Sequence, residues 1–121
     1  MTARELIART DRLRPNTLPF EEKLNWLEEL ELRAFQEVIL THEHEAGLTF
    51  RGPGEGEGEL LIPAPFREVY HYYLCMQMDL TGREMVMYNN DRALFESAWT
   101  AWQDHVNRSL MPEPKANTIK I

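Results

Sequence analysis

The sequence lacks the features that support a disulfide, a membrane span or a secretion signal. Its 121 residues include one cysteine, Cys75, so the chain cannot form an internal disulfide. No apolar run approaches the ~20 residues that cross a bilayer, and the first residues contain no apolar signal segment. We therefore expect a soluble protein, made in a reducing cytoplasm, with no membrane partner.

Basic residues are also scarce. Thirteen Lys and Arg stand against 20 Asp and Glu, which gives a formal net charge of −7. Affinity for nucleic acid comes mainly from cationic side chains that displace counterions from phosphates, so this balance argues against sequence-specific nucleic acid binding. It is compatible with a protein through which DNA merely passes, because an acidic wall repels the DNA backbone and leaves it mobile.

Apolar residues are abundant enough to form a folded core. Hydrophobic residues make up 43% of the chain and include three Trp, five Phe and four Tyr, so burial can offset the entropy lost on folding. The length favours one helical domain over residues 1–110. Pro112 and Pro114 favour an extended C-terminal tail over residues 111–121.

Helical periodicity dominates that domain and predicts a mainly α fold, a compact bundle of about four helices. Thr2 and Glu5 have the spacing of a capping box, and Thr81 and Glu84 repeat it, which favours a helix break or a kink there. The predicted helices cover residues 2–12, 19–41, 65–80 and 85–110.

Large aromatic side chains occupy the apolar stripes of the three longest predicted helices. We expect a shared core that contains Phe35, Tyr73, Phe95, Trp99 and Trp102. The glutamates of the second helix are expected on its solvated face: Glu21, Glu22, Glu28, Glu29 and Glu31.

Between the second and third helices the periodicity disappears. Residues 43–58 contain the run Gly-Pro-Gly-Glu-Gly-Glu-Gly from 52 to 58, which predicts a flexible loop because glycine is conformationally free and the carboxylates repel one another. Residues 60–62 are either a short strand, paired with residues 48–51, or an extended lead-in. We favour the β-hairpin, within the region 48–62.

The run His42-Glu43-His44-Glu45 is the most metal-like stretch of the chain. The zinc-hydrolase pattern His-Glu-x-x-His would need a histidine where Ala46 stands. In a helix, His42 and His44 would diverge by roughly 200°. We interpret the run as a solvated helix end with no metal site.

Other candidate catalytic side chains have equally plain explanations. The glycine run lacks the Gly-Lys-Ser/Thr of a phosphate-binding loop, and Cys75 lies in an apolar context typical of a packed structural cysteine. Neither Ser97 nor Ser109 has a nucleophile-elbow context. Four carboxylates are interpreted as partners in helix-surface ion pairs with Arg83 and Arg92: Asp79, Glu84, Asp91 and Glu96. We therefore expect no catalytic residue, no cofactor, and a protein that is not an enzyme.

A scattered set of residues resembles a family of small phage and prophage proteins described as head-tail connector or neck-like proteins. The set spans positions 14 to 95 and consists of Arg14-Pro15-Asn16, residues 26–31, residues 60–66, Tyr70, Tyr73-Leu74, Asp79, Glu84, Tyr88-Asn89 and Phe95. The Gly-Glu-rich segment 52–58 departs from the shorter connection expected for the family.

The resemblance implies a helical subunit that assembles into a homomeric ring around the DNA channel. Its implied partners are further copies of itself, the portal protein and an adjacent neck or tail protein. It implies assembly in the cytoplasm of the bacterial host and a final place at the head-tail junction of the virion, with no catalytic residue to carry over. Two alternatives are a small intracellular adaptor or regulator that binds another polypeptide, and a metal-dependent enzyme built on His42 and His44.

Overall fold

The computed structural model describes residues 1–112. Within them the chain forms four α-helices and contains no β-strand, so the predicted helical bundle is confirmed. The helices are α1 (Ala3–Leu13), α2 (Phe20–Ala34), α3 (Glu68–Thr81) and α4 (Met85–Ser109), with a π-helical turn at Phe35–Ile39 and a 3-10 turn at Ala64–Phe66.

The capping box of α1 is formed as predicted. The Thr2 hydroxyl accepts a hydrogen bond from the Glu5 amide at 3.2 Å, and the Thr2 amide donates to the Glu5 carboxylate at 2.9 Å. These two bonds satisfy backbone donors at the amino end of α1. The helix then buries one face, which carries Ala3, Leu6 and Ile7, against the rest of the bundle.

The predicted helix over residues 19–41 is present, but its last part is wider than an α-helix. The Leu40 amide donates to the Phe35 carbonyl at 2.9 Å, five residues back, which closes the π-helical turn. Phe35 is buried there, yet its ring packs on Phe50 at a centroid distance of 5.6 Å. Phe35 is not part of the core cluster that contains Phe95, Trp99 and Trp102, so its predicted place in that shared core is wrong.

The rest of the predicted aromatic core is confirmed. Ring centroids lie 5.4 Å apart between Tyr73 and Phe95, 5.9 Å between Phe95 and Trp99, and 5.4 Å between Trp99 and Trp102. This row of rings joins α3 to α4, which form the most extensive helix pair of the bundle. α3 also packs against α1 and α2, so it is the central element.

The break between α3 and α4 is present without the predicted second capping box. Thr81 ends α3, Arg83 adopts a left-handed backbone with φ of 56°, and Glu84 precedes α4 with no side-chain cap bond. The turn is closed instead by main-chain bonds, in which the Gly82 amide donates to the Met78 carbonyl and the Glu84 amide to the Asp79 carbonyl, each at 2.9 Å.

The predicted β-hairpin within 48–62 is wrong. Leu60 donates its amide to the Met1 carbonyl at 3.0 Å, and Thr2 forms an isolated antiparallel bridge with Glu59. The backbone just before α1 is therefore the partner of this lead-in, rather than residues 48–51. No pattern confined to residues 48–62 could reveal a partner at the start of the chain.

The Gly-Glu segment forms turns that are tied to α1. The Arg4 amide donates to the Gly56 carbonyl at 2.9 Å, and the Arg4 guanidinium lies 2.5 Å from the Glu57 carboxylate. Gly56 has φ of 110°, and a Cβ there would approach the Phe20 ring to 3.0 Å, so this position requires glycine. The predicted flexibility of residues 43–58 stays a prediction.

Leu110, the residue before the predicted C-terminal tail, is extended. Met111 accepts a hydrogen bond from the Glu43 amide at 2.8 Å, and Pro112 forms an isolated bridge with His42. Residues 113–121 of the predicted tail lie outside the described residues. Over residues 1–112, none of the helices is both long and apolar enough to cross a membrane.

Candidate functional site

His42 is part of the packing between the π-helical turn and α4. Its ring is buried, with Nδ1 2.7 Å from the Val38 carbonyl and Nε2 2.7 Å from the Asn107 side-chain oxygen. His44 is exposed, and its Nδ1 lies 2.7 Å from the His42 carbonyl. The solvated helix end predicted at His42 is therefore wrong, because both of its ring nitrogens have protein partners.

The two histidines do not point at a common ligand. Among residues 1–112, no group of three His, Cys, Asp or Glu side chains is placed to hold a metal ion. In the described part of the chain, the run at residues 42–45 is therefore not assembled into a set of metal ligands. The expectation that the protein binds no metal stays a prediction.

Asp79 and Asp91 are joined by a cation that the sequence did not suggest. Arg14 places Nη2 2.5 Å from the Asp79 carboxylate and Nη1 3.5 Å from that of Asp91. Asp79 is fully buried, so its predicted place in a surface ion pair is wrong. Arg14 lies 65 residues from Asp79 along the chain, which is why helical spacing did not predict the contact.

The charges in this cluster are unbalanced. One guanidinium faces two carboxylates, and the second Asp79 oxygen is buried with no hydrogen-bond partner among the described residues. Burial, together with the neighbouring Asp79 carboxyl, raises the pKa of Asp91 to about 6. The cluster therefore clamps α1 to α3 and α4 and can gain a proton near neutral pH.

The predicted surface ion pair is found at Glu96. Arg92 and Glu96 lie one helical turn apart on α4, with their nitrogen and oxygen 3.1 Å apart and both side chains mostly exposed. Such a pair contributes little to stability because water and salt screen it.

A cysteine-histidine pair on α3 was missed in the sequence. The Cys75 sulfur lies 3.7 Å from His71 Nε2, and His71 Nδ1 lies 3.1 Å from the Thr10 hydroxyl. Burial raises the pKa of the Cys75 thiol and lowers the pKa of His71, so both groups are favoured in their neutral forms. This is the opposite of the thiolate-imidazolium pair of cysteine enzymes. The four-residue spacing of the pair was the available signal.

Glu31 is a buried carboxyl and not the solvated residue predicted. Its side chain accepts hydrogen bonds from the Tyr70 hydroxyl and, at 2.9 Å, from the Leu61 amide. The Tyr70 hydroxyl in turn accepts one from the Ile62 amide at 2.7 Å. Burial raises the pKa of Glu31. This network fastens residues 61–62 to α2 and α3.

One side of α4 is exposed and, over residues 86–101, uncharged; the exposed Asp104 and Arg108 continue the same side towards the carboxyl end. The helix buries Phe95, Trp99, Trp102 and Val106 on its inner side, and at 100° per residue the opposite side is built from a different set of residues. We call that set the outer face of α4. It comprises Val86, Met87, Asn90, Ala93, Leu94, Ser97, Thr100 and Ala101, all of them exposed.

The outer face is unusual for a solvated helix. It extends over 16 residues, roughly 24 Å at the α-helical rise, without a charged side chain. Its three large apolar residues are 77% (Val86), 43% (Met87) and 46% (Leu94) exposed. A solvent-facing side of a helix normally carries charged and polar residues. The outer face therefore has the character of a helix-packing surface.

A second apolar surface lies between α2 and the segment 45–61. A cavity of about 360 Å³ opens there, with Phe35 and Ile39 of the π-helical turn in its wall. Leu48 and Leu61 also line it and are more than a third exposed. π-helical turns often occur at functional positions. We call this the α2 cavity.

Comparisons of the chain with protein-family models, curated proteins and solved structures found no match. We therefore infer the function from the chain's own residues and geometry. That geometry offers two apolar surfaces suited to protein contact, while its buried polar clusters hold helices together.

Proposed function

We propose that the protein is a structural subunit of a phage or prophage head-tail connector, assembling as a ring between the portal and the adjacent neck or tail protein. The observation that carries the proposal is the uncharged outer face of α4. The family resemblance of residues 14–95 supplies the particular assembly. The proposed place of action is the host cytoplasm during assembly and then the head-tail junction of the virion.

The energetics of the outer face favour association. Burying apolar surface contributes about 25 cal/mol per Å², and Val86, Met87 and Leu94 leave much of theirs in water. Small side chains, Ala93 and Ser97, lie next to Leu94 on the same face and let a neighbouring element approach closely. No charge would have to be desolvated along this span of the face.

A ring also needs a second surface on each copy. Cyclic assemblies of more than two subunits use head-to-tail contacts, in which two different patches of the same chain meet. The α2 cavity is a second apolar patch, built from other elements than α4. The acidic chain, with its net charge of −7, suits a wall that DNA passes without adhering.

A small adaptor that binds another polypeptide is the alternative. The same outer face would then receive a helix from an unrelated protein, and the chain itself would stay monomeric. Self-assembly is the property that separates the two functions.

The test is reconstitution with the cognate portal and the next neck protein, followed by mass measurement and particle imaging. We expect ring-shaped complexes with the natural protein, and their loss with Leu94→Glu, which places a charge in the outer face. Ala8→Glu, at an exposed position of α1, is the matched control and should still assemble. A protein that stays monomeric with both partners present, in a phage that joins heads to tails without it, would show that the connector function is wrong.

A further inference from the structure

We infer that the α2 cavity of one copy receives the amino end of α4 from the next copy, with Val86 and Met87 inserted between α2 and the segment 45–61. This inference rests on the proposed ring and names the two halves of its contact. The occupant to which it commits is a second copy of this chain.

The amino end of α4 is largely exposed, with Tyr88 and Asp91 the partly buried residues of its first ten. None of the first ten residues of the helix, from Met85 to Leu94, is buried. Leu80, just before the turn, is 49% exposed, and Met85 is 51% exposed. Together with Val86 and Met87 they place four large apolar side chains around one corner of the molecule. We call residues 80–87 the α3–α4 corner.

The α2 cavity matches this corner in chemistry and in size. Its wall includes Phe35, Ile39 and Phe50, and its volume of about 360 Å³ is enough for two side chains such as those of Val and Met. An aromatic and aliphatic wall suits the flexible Met side chain, which fills irregular apolar spaces. Filling the cavity would also cover Leu48 and Leu61.

Charges near the two surfaces are complementary. The cavity is lined by Glu45 and Arg51 among its charged residues, and the corner carries Arg83 and Glu84. The corner thus offers one charge of each sign, whereas the cavity lining has one cation and an excess of carboxylates, Glu31 included. Glu59 adds a further carboxylate to the cavity lining.

The amino end of α4 adds to the charge complementarity between the corner and the cavity. The first turn of α4 contains no acidic residue, and Glu84 makes no side-chain cap bond. The backbone N–H groups of the first turn of α4 have no partner within the helix, and they lie at the positive end of the helix dipole. Both features favour a nearby carboxylate. Glu45, in the cavity lining of the neighbouring copy, would supply that carboxylate. A partner surface that is wholly apolar or basic has no carboxylate to place at the amino end of α4.

The first experiment is disulfide trapping in solution, with the portal and neck proteins present. The pair Val86→Cys and Leu48→Cys in one chain should give, under mild oxidation, a ladder of covalent oligomers in steps of the 14.3 kDa subunit. A ladder requires the two positions to meet between copies, head to tail. Each single variant should stop at background cross-linking, as should Thr100→Cys with Leu48→Cys. Cys75 is buried and present in all samples alike.

The second experiment is a charge exchange. Arg83→Glu alone should abolish trapping and ring formation because it sets two carboxylates against each other. Adding Glu45→Arg to the same chain should restore both. Circular dichroism and melting temperature are measured for each variant, and Arg108→Glu, at an exposed position near the other end of α4, is the control that should leave assembly unchanged.

The outcomes separate this inference from the proposed function. Rings that form normally with Arg83→Glu but are lost with Leu94→Glu would overturn the inference and leave the connector function standing. A covalent ladder without any ring in the presence of portal and neck protein would support the contact and overturn the connector function. Trapping of Val86→Cys only by the neck protein would show that the occupant is a different chain, which overturns the inference as well.

Discussion

The Arg14 guanidinium lies 2.5 Å from the carboxylate of Asp79, which is fully buried on α3. Its other nitrogen donates to the Cys75 carbonyl at 3.2 Å. Arg14 directly follows α1, so this pair fastens the end of the first helix to the centre of the bundle. Replacing a buried ion pair by apolar residues is often neutral, but removing one partner leaves the other charge buried and unpaired.

Arg14→Leu should therefore destabilise the protein by about 3 kcal/mol. Urea denaturation followed by circular dichroism measures the free energy of unfolding. Arg12→Leu, two residues earlier at an exposed position, is the matched control and should change it little. Equal losses in the two variants would mean that the contact with Asp79 is not the cause.

Asp91→Asn should stabilise the protein at neutral pH. The pKa of Asp91 is raised from 3.8 to about 6, first by burial and then by Asp79. Between these values the native state holds a proton that the unfolded state has released, so this group's contribution to stability is present at low pH and is lost as the pH rises towards 6. Asparagine does not ionise, so the variant does not lose this stability as the pH rises.

The expected gain is on the order of 2 kcal/mol above pH 7 and shrinks towards pH 4. Denaturation curves of both proteins between pH 4 and 8 give the difference directly, and the other titrating groups cancel in it. Glu96 lies in the exposed pair with Arg92. For Glu96→Gln, the curve of unfolding free energy against pH should run parallel to that of the natural protein. A parallel profile for Asp91→Asn as well would contradict the raised pKa.

Trp99→Ala should cost roughly 3 to 5 kcal/mol, the range for removing a large aromatic side chain from a core. The indole is buried between Phe95 and Trp102, and the Arg33 guanidinium lies 4.4 Å above its ring centroid. Val86→Ala, at the most exposed of the three large apolar residues of the outer face, is the control. An unchanged denaturation midpoint for Trp99→Ala would contradict its place in the core.

The helices and most of the aromatic core could be predicted because their signals are local. The Thr2-Glu5 capping box and the stripe of Phe95, Trp99 and Trp102 repeat within one or two helical turns. Such spacings directly reflect the geometry of a helix. The π-helical turn at Phe35–Ile39 has the same apolar pattern as an α-helix and was not distinguished from one.

The buried polar residues could not be predicted because their partners are remote in sequence. Glu31 looks like any other glutamate of α2, and Tyr70 lies 39 residues away from it. Arg14 and Asp79 are farther apart still. The outer face of α4 was not predicted either: the apolar stripe of the helix drew attention to the side that the core uses, and no role was predicted for Val86 and Met87 on the other side.

Tyr70→Phe should destabilise the protein by about 1 to 3 kcal/mol, the cost of leaving buried polar groups unsatisfied. The change removes one hydroxyl that donates to Glu31 and accepts from the Ile62 amide. Tyr88→Phe, at a partly exposed position of α4, is the matched control. Hydrogen exchange should also become faster at Ile62, and unchanged exchange there would contradict the bond seen between its amide and the Tyr70 hydroxyl.

Amide hydrogen exchange in the free subunit should divide the segment 43–62 into two parts. Residues 44–51 make few backbone hydrogen bonds, so we expect their amides to exchange rapidly, as in a mobile loop. The Leu60 and Leu61 amides donate to the Met1 carbonyl and the Glu31 carboxylate and should exchange more slowly. Shortening the glycine run should leave the helices intact. The change removes the bond between Arg4 and Glu57 but leaves the aromatic core unaltered. The measurement is mass-resolved exchange on a monomeric sample, with α3 as the internal reference for slow exchange. Strong protection throughout residues 44–58 in that sample would show that the segment is rigid before any assembly and would contradict the prediction of a flexible loop.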